Sequence, residues 1–184
     1  MSDVHHLVIS ALGPDRVGLV ADLTAFLGER RANLEDSRMA MLGGEFGMMA
    51  LVSGTEAAIA RVERELTDVL GPKTGASFVT RRTKSPEEHR KGDTFPVLVT
   101  AESFDREGIT LAITSALETL RVSIVALETT QWSAPFTGAP LFRLEVRADV
   151  PRGTTIANVR AAMEAVAVHE HLDVGVKSLA AQRG

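Results

Sequence analysis

Apolar and polar residues alternate along this chain with two different periods. In short runs the apolar residues occupy every second position, which is typical of a strand with one buried face. In longer runs they recur every three or four positions, which is typical of an amphipathic helix. In the first half this pattern predicts strands over 7–12, 35–42, 46–52 and 76–82 and helices over 19–27 and 59–69. The predicted order is therefore βαββαβ.

Glycine and proline residues mark the expected ends of several elements. We expect Gly13-Pro14 to break the first strand and Gly43-Gly44 to form a hairpin turn. Gly71-Pro72 is expected to stop the second helix, because proline cannot continue the helical hydrogen bonding. These positions set the predicted lengths of the elements.

The second predicted strand has two chemically different faces. Met39 and Met41 share one face, and Asp36 and Arg38 share the other. The two methionines, together with Met48-Met49, are expected to fill the core, with one or two of them at the edge of a ligand pocket.

The sequence Asp-Arg-x-Gly occurs twice, at Asp15–Gly18 and at Asp105–Gly108, 90 residues apart. With this offset the two halves align without a gap over about 28 residues, which indicates an internal repeat. The second half repeats the βαββαβ order, with a longer hairpin whose additional residues fall within 131–140.

Two βαββαβ repeats predict an α+β fold with two ferredoxin-like domains in tandem, each an antiparallel sheet with both helices on one face. The open sheet faces and edges need cover, which side-by-side pairing of two copies could supply. The segment between the repeats is charged, contains proline and reads as a solvated tether, not as a nucleic-acid arm. We predict domain 1 over 1–83, a linker over 84–93 and domain 2 over 94–184.

The composition narrows the possible functions. The net charge of −4 and the pI near 5.7 argue against general affinity for nucleic acid or anionic lipid. The chain has no cysteine, which excludes disulfides and thiolate metal sites. It shows neither a signal-peptide pattern nor an apolar run of about 20 residues. We therefore expect a cytoplasmic protein without membrane contact.

Each Asp-Arg-x-Gly turn precedes a predicted helix, where unpaired backbone N–H groups favour a carboxylate. The glycine allows close approach of a ligand, and the aspartate is suited to cap the helix. The arginine could pair with a ligand carboxylate or lie on the surface. An ordinary capped turn is the alternative. Asn33 offers a donor and an acceptor for an amino acid head group, or simply forms a turn.

The segments Pro14–Val20 and Ala32–Leu34 resemble the signature of ACT domains, which are small βαββαβ modules that bind amino acids. The longer run Asn33–Phe46 is similar to the tandem-ACT glycine cleavage system transcriptional repressor family. The resemblance covers essentially the whole chain in length and order and is strongest over residues 5–54.

The resemblance implies ligand sites between the first turn of one unit and the second strand of another. In copy two, Glu107 and Ser123 depart from the family pattern, and the additional carboxylate of Glu107 would repel a ligand carboxylate. We therefore expect unequal sites, with the site beside Gly18 the better one. Carried onto this chain, the ligand-binding residues are Asp15, Arg16, Val17, Gly18, Leu19 and Asn33 in copy one and Asp105, Arg106, Glu107, Gly108, Ile109 and Ser123 in copy two.

The resemblance also implies a non-catalytic regulator that binds a small amino acid, with glycine or serine favoured. Such a regulator acts on transcription of amino-acid metabolism genes through a transcription-factor partner, without direct nucleic-acid contact, and a homodimer is possible. No cofactor is expected. One alternative is a ligand-free interaction module. Another is an acyl-phosphate hydrolase that uses Arg16 and Asn33, although Asp15 would repel phosphate.

Two further groups of residues leave alternatives open. His5-His6 and His169-x-His171 have alternate spacing that a metal could use, but no set of ligands is complete, and we predict no metal site. Trp132 and Phe136 in the long hairpin could form a partner-binding tip or pack onto their own domain.

Overall fold

Each half of the chain forms a four-stranded antiparallel sheet with two helices. The computed structural model describes residues 4–88 and 93–179, and the chain divides into two compact units, 1–90 and 91–184. Along the chain, the predicted linker falls between the last strand of the first sheet and the first strand of the second. Its residues 89–92 lie outside the described residues. The exact limits 1–83, 84–93 and 94–184 stay a prediction.

The first domain has the predicted order, and its strands are arranged β2-β3-β1-β4 in what we call sheet 1. Arg81 and Arg82 belong to its last strand, within the predicted range 76–82. The elements are β1 (His5–Pro14), α1 (Leu19–Glu29), β2 (Asn33–Leu42), β3 (Glu45–Gly54), α2 (Glu56–Thr74) and β4 (Ser77–Thr83).

The second domain repeats this topology as sheet 2, with strand order β6-β7-β5-β8. The fold is therefore α+β with two ferredoxin-like βαββαβ domains in tandem, as predicted. The elements are β5 (Thr94–Phe104), α3 (Ile109–Thr119), β6 (Ser123–Ser133), β7 (Pro140–Pro151), α4 (Ile156–Glu170) and β8 (Asp173–Ser178).

Each domain has its own hydrophobic core between one sheet face and the two helices. The inward residues of β1 and β3 alternate with outward ones, as a half-buried sheet requires. The first core includes Leu7, Ile9, Val52, Leu23, Leu27, Ile59 and Leu66, and the second includes Val97, Val99, Leu144, Val146, Ile113, Leu117 and Met163. No helix among the described residues is long and apolar enough to cross a membrane.

The expectation that Gly13-Pro14 breaks the first strand is wrong. Both residues continue β1 and pair with Phe46 and Glu45 of β3. Proline is tolerated because β4 pairs only as far as Leu12, so one side of β1 needs no donor at that point. Gly13 is required for space, since a Cβ there would lie 2.6 Å from the Cα of Ala76.

The expectation that Gly71-Pro72 stops the second helix is also wrong. Helix α2 continues to Thr74, whose buried hydroxyl donates to the carbonyl oxygen of Leu70 at 2.6 Å. The helix ends at Gly75, which has φ 72 and donates its N–H to the carbonyl of Gly71. The hydrogen bonds made by Thr74 and Gly75 therefore continue the helix past the one that Pro72 cannot make.

The methionine prediction is wrong for three of four residues, because only Met48 is buried. Met39 and Met41 pair with Met48 and Phe46 and so share the helix-facing side. They are nevertheless largely exposed, because β2 is the edge strand of its sheet. Met49 lies on the opposite, open face of the sheet.

Both edge strands that follow the first helices carry a β-bulge at the same place in the repeat. The pairing register shifts between Leu34 and Asp36 in β2 and between Ile124 and Ala126 in β6. The bulge changes which face the following residues occupy. Asp36 and the residues after it therefore alternate out of phase with Leu34.

The long hairpin of the second domain carries its aromatic residues outward. Phe136 is fully exposed, and Trp132 lies opposite Leu141 on the open face of sheet 2. Packing of Phe136 onto its own domain, one of the two alternatives, is therefore not observed.

Candidate functional site

A glycine with positive φ stands at the start of the first helix in both domains. Gly18 has φ 93 and Gly108 has φ 91, a conformation that side chains disfavour. Each is the N-cap residue, and no side chain of the described residues caps either helix. The prediction that Asp15 and Asp105 cap the helices is therefore wrong. The left-handed glycine delays the helix, which leaves each aspartate three residues before the cap.

The uncapped helix starts present donors to solvent. The first helical hydrogen bonds run from Asp22 N–H to the Gly18 carbonyl and from Ala112 N–H to the Gly108 carbonyl, both at 2.9 Å. Hence the N–H groups of Leu19–Ala21 and Ile109–Leu111 have no acceptor within their helices. Together with the helix dipole, these groups favour an anion such as a carboxylate.

The arginine of the first turn is paired within its own domain. Arg16 makes an ion pair with Asp22 of α1, and Lys73 of α2 contacts the other oxygen of Asp22 at 2.8 Å. The Nε of Arg16 is buried and has no hydrogen-bond partner within the described part of the chain. Arg16 thus keeps one unsatisfied donor beside the turn.

The arginine of the second turn is tied to a different element. Arg106 binds the carboxylate of Glu170 at 2.8 Å and also donates to the Glu170 carbonyl at the end of α4. The hydrogen bond from Arg106, followed by that from His169, lowers the pKa of Glu170 and outweighs desolvation, which raises it. Arg106 therefore links its turn directly to the second helix, whereas Arg16 binds an acid of the first helix, which Lys73 connects to the second.

A cavity of about 520 Å³ opens at the second turn. It brings together five of the six residues predicted for copy two, whereas Ser123 does not line it. Two of its walls come from the long hairpin and β7, as Gln131 and Phe142. The lining residues are Asp105, Arg106, Glu107, Gly108, Ile109, Thr110, Leu111, Gln131 and Phe142.

Gln131 holds the aspartate of the second turn in place. Its side-chain amide donates to Asp105 at 2.9 Å, and the Asp105 N–H donates to the carbonyl of Pro140 at 2.9 Å. Sequence reasoning missed Gln131. The longer hairpin of the second domain, which begins near Gln131, was the available signal. At the 90-residue offset the first domain has Met41 in place of Gln131.

Asn33 and Ser123 lie far from the turns of their own domains. Asn33 pairs with Ser53, which pairs with His6 at the start of β1, whereas the turn follows Pro14 at its end. Eight residues of strand separate the two ends, or about 27 Å. Ser123 has the same position in sheet 2, level with Pro96.

This separation has two consequences. A single small ligand does not reach both the turn and Asn33 of one domain. The hydrolase alternative loses its proposed pair, because Arg16 and Asn33 are at opposite ends of one domain.

The described histidines His5, His6, His169 and His171 do not belong to a metal site among the described residues. His5 contacts Glu56 at 3.2 Å, and His6 lies 3.5 Å from Glu35. Within residues 4–88 and 93–179, no three His, Asp or Glu side chains are grouped so that they could hold a metal ion.

Comparison with known proteins gives matches over both domains. The ACT domain family model matches residues 5–70. The glycine cleavage system transcriptional repressor of Escherichia coli is 30% identical over 166 residues, which are 90% of this chain and 86% of that protein.

Two crystal structures resemble the chain over almost its whole length. A protein of unknown function from Galdieria sulphuraria has a TM-score of 0.78 at 33% identity, covering 96% of this chain and 99% of that one. A protein assigned as a glycine cleavage system transcriptional repressor has a TM-score of 0.72 at 25% identity, covering 96% and 98%.

Proposed function

The chain belongs to the tandem ACT-domain family of the glycine cleavage system transcriptional repressor, and from this membership we propose that it is a non-catalytic regulator that binds a small amino acid. Glycine and serine are the favoured ligands. The protein acts on transcription of amino-acid metabolism genes through a transcription-factor partner, in the cytoplasm. The observation that carries the proposal is the similarity to the repressor over 90% of the chain.

The chemistry of the second turn supports an amino acid zwitterion. The N–H groups of Ile109–Leu111, which have no acceptor within the helix, suit the carboxylate, and Asp105 suits the ammonium group. The cavity is large enough for glycine or serine, and Phe142 supplies an apolar wall. Both charges of the ligand therefore have complementary groups at one turn.

The first turn supports the same ligand through a different group. The buried Nε of Arg16 has no acceptor among the described residues, and an unsatisfied buried donor costs free energy. A ligand carboxylate beside Gly18 would satisfy it. We propose two groups of turn contacts, each completed by a second-strand residue of another unit, Asn33 or Ser123. The turn contacts are Asp15, Arg16, Val17, Gly18 and Leu19 for one site and Asp105, Arg106, Glu107, Gly108 and Ile109 for the other.

Isothermal titration calorimetry of the full chain tests ligand binding directly. We expect glycine and serine to bind, whereas acetate and methylamine, which each carry one of glycine's two charges, bind much more weakly. No heat from either amino acid at millimolar concentration would show that the isolated protein is not a sensor.

The two turns are distinguished by exchanging one residue between them. Glu107→Val places the residue of the first turn in the second and is expected to strengthen glycine binding there about two- to fivefold, because it removes an exposed like charge. Val17→Glu is the reciprocal change and should weaken the first site by a similar factor. Affinities that do not move in opposite directions contradict the inequality of the two sites.

Capture of a transcription factor separates the sensor from a ligand-free interaction module. The full chain is immobilised, and bound proteins from cell extract are identified with and without glycine. A sensor is expected to change the amount of one transcription factor captured when glycine is added. An unchanged amount in both conditions favours the ligand-free module.

A further inference from the structure

The open face of sheet 1, which faces away from the helices, is apolar at its centre. Leu12 is 60% exposed, Met49 57% and Val79 67%. Val8 and Leu51 are outward neighbours in the same face by their pairing. An exposed group of large apolar side chains on adjacent strands is typical of a contact surface.

The fold itself does not require this apolar face. The pairing registers make the two sheets directly comparable, because Ser10 pairs with Met49 as Thr100 pairs with Glu145. At three equivalent outward positions sheet 1 is apolar and sheet 2 is charged. The pairs are Leu12 and Glu102, Met49 and Glu145, and Leu51 and Arg147.

One row across the open face of sheet 1 carries opposite charges at its two ends. Pairing places Asp36, Leu51, Val8 and Arg81 side by side, in that order, on the four strands. A two-fold axis parallel to the strands would bring Asp36 opposite Arg81 of a second copy, and Leu51 opposite Val8. The row is therefore complementary to itself, as an isologous interface requires.

The row that contains Leu12 fits the same rotation. Two rows further along the strands, exposed Leu12 lies beside Gly47, so a second copy would place each leucine against a glycine that has no side chain. A shallow cavity of about 140 Å³, lined by residues that include Val8, Met49 and Leu51, opens on the same face. It has room for one side chain of the second copy, such as Val79.

Asp36 and Arg81 can each form an additional ion pair. Asp36 uses one oxygen, Oδ1, for Arg38 and for the N–H of Ser37. Arg81 is exposed and forms no ion pair with another described residue. An ion pair between Asp36 and Arg81 of a second copy would therefore not displace an existing one.

We propose that two copies of this chain associate face to face through the open faces of their first sheets. Four strands with four outward residues each cover about 500 Å² per copy, or about 1,000 Å² in total, at the lower limit for a specific interface. The dimer is therefore concentration-dependent, and its partner is a second copy because the charged row complements itself.

Sedimentation equilibrium of the full chain over a concentration series tests the proposal with two charge reversals. Asp36→Arg and Arg81→Asp each place like charges opposite one another and are expected to raise the dissociation constant about 100-fold or more. An equimolar mixture of the two variants is expected to restore dimers, because each reversed residue then meets its complement.

The second sheet supplies matched controls. Lys177→Asp reverses the charge at the position that corresponds to Arg81, and it should leave association unchanged. Met49→Glu introduces the residue that sheet 2 has at the equivalent position and should abolish the dimer. Circular dichroism confirms that every variant is folded.

The outcomes that overturn the proposal are clear. A wild-type chain that is monomeric throughout the series excludes the dimer. If both reversals sediment like the wild type, another surface is responsible for association. If their mixture remains monomeric, Asp36 and Arg81 do not pair across the interface.

Discussion

Arg31 and Arg121 have left-handed backbone conformations, with φ 57 and φ 56, and lie 90 residues apart. Each ends the first helix of its domain. The N–H groups of Ala32 and Val122 donate to the carbonyls of Leu27 and Leu117, so the same C-terminal turn occurs twice. At this position glycine is the residue with the least strain.

Arg121→Gly is therefore expected to stabilise the second domain. Relief of the left-handed strain exceeds the entropic cost of the more flexible unfolded chain. The free energy of unfolding is therefore expected to rise by about 0.5–1 kcal/mol. The free energy of unfolding from urea titration measures the change. Arg121→Ala is the control, because it removes the side chain and keeps the strain. Equal stability of the two variants would contradict the explanation.

The contact between the two helices is polar in the first domain and apolar in the second. In the first domain, Arg30 is 8% exposed, stacks on the Phe26 ring at 3.5 Å and binds Glu65 of α2 at 2.9 Å. The second domain has small and apolar residues instead, and a groove of about 400 Å³ lies between its helices. The substituted residues are Ala116 for Phe26, Leu120 for Arg30 and Ala165 for Glu65.

Glu65→Ala is expected to lower the melting temperature by several degrees, because it leaves the buried guanidinium of Arg30 without its main partner. The double change Arg30→Leu and Glu65→Ala installs the pair found in the second domain and is expected to recover much of the loss. Thermal unfolding followed by circular dichroism measures both. A double variant less stable than Glu65→Ala would show that the apolar pair does not fit the first domain.

The contact between the second turn and α4 depends on pH. Arg106 and then His169 hold the pKa of Glu170 below its usual range. A carboxyl whose folded pKa is lowered stabilises the folded state above its unfolded pKa of about 4.3, and this stabilisation is lost as the pH falls through the folded pKa.

Glu170→Gln is accordingly expected to lower the melting temperature at pH 7 and to have a smaller effect in acid, where wild-type Glu170 is protonated. Melting curves of both proteins from pH 7 to about pH 3 test this. A constant difference over the whole range would mean that the ionised form of Glu170 does not stabilise the turn.

At the scale of the whole molecule, each domain contains a complete core. The two hydrophobic clusters share no residue. A domain with its own core is able to fold alone. We expect the fragments 1–88 and 93–184 each to unfold in a single cooperative transition by circular dichroism. A fragment without such a transition would show that its domain depends on the other.

The order of strands and helices was predictable from sequence. The spacing of apolar residues identifies each strand or helix from its own segment, and the 90-residue repeat shows that the second half has the same order as the first. The errors arose where tertiary contacts decide. Pro14 is tolerated because a neighbouring strand ends early, and Pro72 because Thr74 and Gly75 complete the last turn of α2 by hydrogen bonds to Leu70 and Gly71. The partners of Arg16 and Arg106 lie on helices, and spacing alone does not reveal them. The cavity beside Gly108 depends on Gln131, which belongs to the hairpin extension.

The bulges in β2 and β6 act like a shift of reading frame. A strand assigns its residues to two faces in turn, and one extra residue, Glu35 or Val125, moves everything after it into the other frame. Deleting Glu35 would not be a local change. It would turn either Leu34 away from the core or the whole remainder of β2 onto the opposite face, and the same holds for Val125. Both domains therefore have the same elements, and in both the bulge sets the same assignment of the later residues to the two faces.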